Sequence, residues 1–177
     1  MRSAMPAIKA KQLCPDLIIV NTRMAVYKSI SDHIREIFHR YTDKIEPLSL
    51  DEAYLDVTES EHCHGSATLI AEEIRQTIFN ELNLTASAGV APNKFIAKIA
   101  SDENKPNGIC VIQPDNVEEF VENLSLKKIP GIGPKTAEKL AASGLSTCKD
   151  VRQSQLEALI PIVGSNAKSL YDRSFGI

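Results

Sequence analysis

The amino-acid sequence predicts an α+β fold in which strands and helices alternate up to about residue 113 and only helices follow. Apolar residues in the first part recur at every second position, as in strands, or at every third or fourth, as in helices. The charge changes sign near the same place: residues 1–123 contain 12 Lys and Arg against 19 Asp and Glu, whereas residues 124–177 contain 8 against 4. This asymmetry is typical of two modules of which one binds a polyanion, although surface charge also segregates by chance.

The first predicted elements are a short helix and a short strand. The helix covers residues 5–13 and ends near Cys14-Pro15, and the strand covers Leu17–Val20. Thr22 is a suitable N-cap for the long helix that follows. The apolar face of that helix is formed by residues three or four positions apart, namely Met24, Tyr27, Ile30, Ile34, Ile37 and Tyr41.

Two strands and a second long helix are predicted next. Lys44–Leu50 indicates a strand that is irregular at Pro47, and the alternation over Ala53–Val57 predicts another strand. Gly65 and Ser66 then open a helix with one apolar side. That side consists of Leu69, Ile70, Ile74, Ile78 and Leu82.

The remaining strands complete a recognisable order. Leu84–Ala91 predicts a strand of small residues, Asn93 is the predicted N-cap of a helix, and Gly108–Ile112 predicts the last strand. From the first long helix onward the order is helix, strand, strand, helix, strand, which is that of a ferredoxin-like β-α-β-β-α-β sandwich after its first strand. Two explanations stay open: Leu17–Val20 is that first strand, or the first strand precedes this chain.

Five short helices are predicted after a domain boundary near residue 114. No strand pattern, low-complexity stretch or solenoid repeat occurs among them. They cover Val117–Leu124, Pro134–Ala142, Thr147–Arg152, Ser154–Leu159 and Ser165–Arg173.

The composition narrows the class of protein. With 43% hydrophobic and 24% charged residues, the chain has the composition of an ordinary globular protein. No apolar run has the length of a membrane helix or of a secretory signal, and the four widely spaced cysteines fit neither a disulfide framework nor a zinc site. We therefore expect a reducing cytosol. The net charge of −3 argues against a protein that coats nucleic acid by bulk charge.

The first motif is an acidic pair where one predicted strand turns into the next, within Ser49–Asp56. Side chains alternate between faces in a regular strand, but at a hairpin tip Asp51 and Glu52 can converge. Two ionised carboxylates that lie close repel each other, and a proton or a cation relieves the repulsion. A Mg²⁺ ion held by these carboxylates and by substrate phosphates would do so. The alternative is two solvated acids in a tight turn.

The second motif is a Gly-x-Gly turn within Ile129–Ala137, between two short predicted helices. It allows close approach of the backbone and leaves the first amides of the second helix unpaired, an arrangement that suits a phosphate. Pro134 fits the first turn of that helix. The pattern is similar to a helix-hairpin-helix that binds DNA backbones, and the alternative is a plain corner between helices. Nearby positive charge comes from Lys127, Lys128, Lys135 and Lys139.

Two further segments carry candidate residues. Lys105 precedes a proline in the polar loop of residues 100–108 and could contact a triphosphate, although a loop lysine is the common explanation. His62-Cys63-His64 has the residue types of a metal site but no further ligands nearby in the sequence, which favours a surface loop.

Together these motifs resemble the Y-family translesion DNA polymerases. The resemblance covers the whole chain, and the segment around Asp51 is its most specific part. The matching stretches are residues 2–6, residues 45–56, residues 88–91 with Asn93-Lys94, residues 100–102 with Asn104-Lys105-Pro106, and Pro130-Gly131-Ile132-Gly133.

The resemblance implies a domain organisation and a set of site residues. Residues 1–21 are expected to be a remnant of the fingers, residues 22–113 an incomplete ferredoxin-like palm, and residues 114–177 a helical thumb. Asp51 and Glu52 match two of the three palm carboxylates that bind Mg²⁺, and Lys105 matches the lysine that contacts the triphosphate. The expected DNA-binding residues of the thumb are Lys128, Gly131, Ile132, Gly133, Lys135 and Thr136.

The resemblance also implies a reaction and its partners. The expected activity is template-directed addition of dNTPs to a primer by phosphoryl transfer with two Mg²⁺ ions, in DNA damage tolerance and repair. The expected partners are primer–template DNA, a dNTP and, for the intact protein, a sliding clamp. The expected location is the cytoplasm of a bacterium, close to the nucleoid, with no membrane.

The departures from the family limit what this chain is expected to do. The family opens with an Asp-x-Asp-x-Phe strand that supplies the third metal ligand, and it continues into a little-finger domain and a clamp-binding tail; no segment here matches either. We therefore expect a fragment with little or no activity alone, in which Leu17–Val20 is a fingers strand. A second hypothesis is a non-catalytic module that binds the DNA backbone through the hairpin. A nucleotide cyclase is a third, against which the hairpin argues.

Overall fold

A computed structural model describes residues 5–177 and has the α+β architecture that the sequence predicts. Within these residues there are four short strands, Ile45–Pro47 (β1), Ala53–Leu55 (β2), Ala88–Val90 (β3) and Ile109–Val111 (β4). The α-helices in the same part of the chain are Ala7–Leu13 (α1), Met24–His39 (α2), Ala67–Leu82 (α3), Lys94–Glu103 (α4), Val117–Glu122 (α5), Pro134–Ala142 (α6), Cys148–Gln153 (α7), Leu156–Val163 (α8) and Ala167–Ser174 (α9). None of these helices combines the length and the apolar character needed to cross a bilayer.

The strands form two separate pairs. β1 and β2 are antiparallel, with Glu46 opposite Tyr54, and β3 and β4 are parallel, with Gly89 opposite Cys110. The order from α2 to β3 agrees with the ferredoxin-like prediction, but β1 ends at Pro47 and does not continue to Leu50 as predicted. Among residues 5–177 no strand joins the two pairs into one sheet.

The prediction of a strand over Leu17–Val20 is wrong. The segment forms no ladder with any described residue, and Ile18 and Val20 are 85% and 79% exposed. A strand needs a neighbour for its backbone groups, and apolar β-branched residues do not supply one by themselves. The explanation that made this segment the first strand of the sandwich is therefore excluded.

The start of the next helix also differs from the prediction. Arg23 and not Thr22 is the N-cap of α2, and no side chain caps this end. Met24 and Tyr27 lie on the predicted apolar face but are exposed, because α3 packs only against the second half of α2. The buried side chains of this first core are Ile37, Tyr41, Ile70, Ile74 and Ile78.

Helix α4 packs closely against β3. Its N-cap is Asn93, as predicted, whose Oδ1 accepts the Ile96 amide at 2.9 Å. A Cβ atom at Gly89 would overlap the α4 backbone at Ala97 and Ser101, so only glycine allows β3 to lie this close.

Two residues of α4 belong to the core of the helical part of the chain. Ile96 and Ile99 are buried in one cluster with side chains from α5 to α9, so this core crosses residue 114. The division into domains at that residue stays a prediction. The other buried members of this second core are Val121, Leu124, Leu126, Ile129, Leu140, Cys148, Val151, Leu159, Ala167 and Leu170.

The helices after residue 114 follow the prediction except in their ends. α6 has the predicted bounds, whereas α8 begins at Leu156 and continues through Pro161 to Val163 instead of ending at Leu159. The helix continues because Leu159 is completely buried, and this burial offsets the backbone hydrogen bond that Pro161 cannot make. Residues Gly164–Asn166 then form a short 3-10 turn before α9.

The last turn of α9 and the residues after it hold both parts of the chain together. Asn93 donates its Nδ2 to the Gly176 carbonyl at 2.7 Å, and Arg173 donates to the Pro130 carbonyl at 2.7 Å. The Arg173 guanidinium also lies 5.6 Å from the centre of the Phe95 ring. The start of α4 and the loop before α6 are therefore fixed by the same few residues.

We predict that Thr147→Ala destabilises the fold by about 1 kcal/mol, because α7 begins with a complete capping box. The Thr147 side chain accepts the Asp150 amide, and the Asp150 carboxylate accepts the Thr147 amide at 2.8 Å. Urea denaturation measures the effect. The control is Gln155→Ala at the uncapped start of α8, which should change stability by only a few tenths. Equal effects of the two substitutions would contradict the assigned cap.

Candidate active site and nucleic-acid interface

A tight turn between β1 and β2, residues 48–52, presents the acidic pair; we call it the acidic turn. The Glu52 carbonyl accepts the amides of Leu48 and Ser49 at 2.9 and 3.2 Å and so closes the turn. Ser49 donates its hydroxyl to Asp51 Oδ1 at 2.6 Å, and the Asp51 side chain is exposed. The turn therefore holds one carboxylate in solvent with a single hydroxyl partner.

The second carboxylate of the acidic turn has a different partner. Lys98 Nζ, from α4, lies 2.5 Å from Glu52 Oε1, and the Lys98 side chain is only 23% exposed. Burial lowers the pKa of Lys98, but the hydrogen bond and the charge of Glu52 outweigh it, and the net shift is upward. The ammonium is therefore charged at neutral pH and neutralises one of the two acids.

The acidic turn offers a metal ion the carboxylate oxygens of Asp51 and Glu52. Carboxylate oxygens are the ligands that Mg²⁺ prefers, and it commonly binds through one or two of them together with substrate phosphates. Asp51 and Glu52 meet that requirement. Within residues 5–177, however, no three His, Cys, Asp or Glu side chains are close enough to hold a metal ion.

One face of α4 and the loop after it carry a row of charges that includes the predicted Lys105. We call Lys94, Lys98, Asp102 and Lys105 the charged row. Lys94 pairs with Glu46 on β1, Lys98 with Glu52, and Lys105 with Asp102 at 2.5 Å. Residues four apart lie on the same face of a helix, so Asp102 follows Lys98 toward Lys105.

Lys98 and Asp102 were missed in the sequence. The spacing of four residues between Lys94, Lys98 and Asp102 on a predicted helix was a usable signal for one charged face. The partners Glu46 and Glu52 come from a distant hairpin, and no local pattern indicates them.

The loop before α6 has the predicted glycines, which we call the glycine turn (Pro130–Gly133). Gly131 has φ +91°, a conformation that side-chain-bearing residues rarely adopt, whereas Gly133 is extended with φ −77° and is the N-cap of α6. Pro134 occupies the first position of the helix, as expected. The element directly before the turn is a 3-10 helix of three residues, Leu126–Lys128, and the short helix α5 precedes it.

The glycine turn exposes amides and positive charge on a buried support. Leu126 and Ile129 are buried beneath it. No hydrogen bond from the Lys135 or Thr136 amide occurs within residues 5–177. In the same part of the chain Lys127, Lys135 and Lys139 form no ion pair, while Lys128 pairs with Glu103, the last residue of α4, at 2.7 Å. Unpaired amides and free cations at a helix start suit phosphate oxygens.

The His62-Cys63-His64 segment lies at the surface, as expected. It forms a 3-10 turn with Gly65, and Cys63 donates its thiol to Glu73 on α3 at 2.9 Å. The hydrogen bond to Glu73 raises the pKa of Cys63, so the thiol form is favoured. Within residues 5–177 its two histidines and its cysteine are not part of a group of three or more side chains that could hold a metal ion.

Comparison with known proteins gives consistent results along the chain. The model of the impB/mucB/samB family matches residues 1–102, and the model described as the IMS family HHH motif matches residues 114–145. The chain is 73% identical over 177 residues to DNA polymerase IV of Colwellia psychrerythraea and 62% identical to that of Pseudoalteromonas atlantica. In both cases the match covers the whole chain but about 50% of the relative.

The fold is also found among solved structures. A DinB family error-prone DNA polymerase from Sulfolobus solfataricus superposes with a TM-score of 0.90 at 36% identity, covering 98% of this chain and 53% of that one. The sequence resemblance and the predicted fold class are thereby confirmed. Residues 1–4 lie outside the described residues. All four belong to the expected fingers remnant, and residues 2–4 belong to one of the matching stretches.

The two glycines of the glycine turn should differ in stability when substituted. A Cβ atom meets nothing within 4 Å at either position, so only the backbone distinguishes them. Gly131→Ala should destabilise the fold by roughly 1 to 2 kcal/mol because of its positive φ. Gly133→Ala is the control and should be nearly neutral. Chemical denaturation of both variants checks this, and equal losses would contradict it.

Proposed function

The chain belongs to the impB/mucB/samB family, and from that premise we propose that it forms part of an error-prone, DNA-directed DNA polymerase that copies damaged templates. One observation carries the proposal: helix α4 contacts both candidate sites. Lys98 pairs with Glu52 of the acidic turn, and Glu103 pairs with Lys128 beside the glycine turn. A polymerase needs its carboxylates and its grip on the duplex at a fixed separation, and a shared helix meets that need.

In this proposal the acidic turn is the catalytic end. Asp51 and Glu52 hold divalent cations, Mg²⁺ in the cell, whose charge stabilises phosphoryl transfer from a dNTP. Lys105 leaves Asp102 and contacts the triphosphate, whose charge is higher than that of one carboxylate. The exposure of Asp51 and Lys105 supports these roles, because both side chains are accessible to a substrate.

The glycine turn is the proposed grip on DNA. The amides of Lys135 and Thr136, the open backbone from Gly131 to Gly133 and the charge of Lys128 bind phosphate oxygens of the duplex. Ile132, partly buried against the second core, holds the turn in place. Contacts of this kind position the protein without reading the base sequence.

The whole protein has further parts in this proposal. Residues 1–21 belong to the fingers, residues 22–113 to the palm and residues 114–177 to the thumb. The chain spans about half the length of the curated relatives it matches. The third metal-binding carboxylate and the clamp-binding segment are supplied by the intact protein outside residues 5–177. The proposed setting is DNA repair and damage tolerance in the bacterial cytoplasm.

A chimera tests the polymerase proposal. These 177 residues replace the matching half of the Colwellia polymerase, and the chimera is expected to extend a primer with Mg²⁺ and dNTPs. Asp51→Ala in the chimera should lower the rate on the order of 100-fold or more. Glu59→Ala is the matched control, since Glu59 pairs with Lys44 at the far end of the hairpin. The 177-residue chain alone should extend little or not at all.

Two outcomes would contradict the proposal. A folded chimera without activity would favour a module that only binds the DNA backbone. Full activity in Asp51→Ala would move the catalytic carboxylates elsewhere.

Duplex binding tests the proposed grip separately. We expect the chain to bind duplex DNA with a dissociation constant of about 10⁻⁴ to 10⁻⁶ M at physiological salt, nearly independent of sequence. Gly133→Val keeps the charge and an allowed backbone, and its side chain occupies the open space in front of the turn. It should therefore weaken binding more than Lys149→Ala, which removes a charge paired with Glu122 outside the turn. Fluorescence anisotropy at several salt concentrations measures both, and intact binding by folded Gly133→Val would rule out the grip.

A further inference from the structure

Two charges of the candidate active site, those of Glu52 and Lys105, are already paired inside the molecule, whereas Asp51 has only a hydroxyl partner. Lys98 Nζ lies 2.5 Å from Glu52 Oε1, and Lys105 Nζ lies 2.5 Å from Asp102 Oδ1. These are charges that the proposed reaction needs for a cation and for a triphosphate. A ligand of Glu52 or Lys105 therefore competes with an internal ion pair.

The Lys98–Glu52 pair differs from the other pairs of the charged row. Lys98 is 23% exposed, whereas Lys94 is 61% exposed and Lys105 is 52% exposed. An ion pair in contact with solvent contributes little, and its strength grows as water is excluded. Lys98 is thus the member of the row best shielded from solvent and the strongest competitor for a carboxylate.

We propose, on the basis of the proposed function, that Lys98 is a positioning residue that serves as the resident counterion of Glu52 and keeps a bare divalent cation from binding tightly to the acidic turn. The ammonium holds Oε1 and leaves Oε2 of Glu52 available. A divalent cation that binds there meets the positive charge of Lys98 nearby, so it binds weakly by itself. A cation that arrives with a triphosphate brings negative charge that Lys98 and Lys105 can share.

Lys98 and Lys105 thereby favour a cation that arrives with a nucleotide over a bare cation. A site that bound bare cations tightly would be filled before a nucleotide arrived. With Lys98 in place, the nucleotide's own charge is needed to complete the neutralisation. Lys98 and Lys105 can each exchange a carboxylate for a phosphate oxygen, and the cation that arrives with the nucleotide then neutralises Glu52.

Binding of Mn²⁺ alone to the 177-residue chain tests the proposal, measured by water-proton relaxation at fixed pH and low salt. Lys98→Met removes the charge but keeps the length of the side chain, and it should tighten Mn²⁺ binding by about three- to tenfold. Lys98→Arg keeps the charge and should bind as the unsubstituted chain does. Lys94→Met removes an equivalent lysine one turn earlier, which pairs with Glu46, and should change the affinity less than about twofold.

The outcomes separate this inference from the proposed function. Unchanged or weaker Mn²⁺ binding in Lys98→Met overturns the inference, since Lys98 would then be a structural partner or an aid to the metal. Mn²⁺ binding that survives the double substitution Asp51→Ala with Glu52→Ala overturns the metal site and the inference together. Thermal melting verifies that each variant is folded, and Lys98→Gln, with the same expected result, replaces Lys98→Met if the latter is not.

Discussion

The two-sided packing of helix α4 is the constraint on which the rest of the structure depends. Ile96 and Ile99 are buried in the core of the helical part, and Ala100 is completely buried on the same helix. The opposite side carries the charged row to the β1–β2 hairpin. Because Ile96 and Ile99 share one buried core with Ile129 beneath the glycine turn, and Lys98 on the same helix pairs with Glu52, α4 connects the acidic turn to the glycine turn. From Lys98 to Glu103 the helix rises about 7 to 8 Å, which sets the axial offset of the two contacts.

The sequence predicted the features that depend on neighbouring residues. Asn93 as an N-cap, Pro134 at the start of α6 and the buried stripe of Ile70, Ile74 and Ile78 on α3 all follow from spacing or from local hydrogen bonds, and the structure has each of them. Leu69, predicted on the same stripe, is 47% exposed. Leu17–Val20 has the composition of a strand but needs a distant partner, which composition cannot supply. Thr22 is not the cap that the sequence predicts, because α2 begins one residue later, after Arg23, and no side chain caps this start.

For the candidate site, the sequence predicted the residues of the motifs but not their ion-pair partners. Asp51, Glu52, Lys105 and the glycines were found from motifs, but their partners were not, because Lys98 lies 46 residues from Glu52 and Lys128 lies 25 residues from Glu103. Two adjacent acids repel each other, and the sequence leaves two explanations open: a metal ion, which the family resemblance implies, or two solvated acids in a tight turn. In the folded chain Lys98 neutralises Glu52, while solvent and Ser49 suffice for Asp51.

The internal pairing also connects stability to binding. Glu52 and Lys128 each pair with an opposite charge on α4, so neither charge is left without a counterion when no ligand is present. Each pair has one partner that reaches solvent, Glu52 at 40% and Lys128 at 53% exposure, and pairs in contact with solvent contribute less to the free energy of folding than fully buried ones. They are consequently easy to exchange for a ligand of higher charge, whereas a buried pair would be difficult to break. The stability of the chain comes instead from the apolar cores beneath, where Leu126, Ile129 and Leu140 support the glycine turn without taking part in binding.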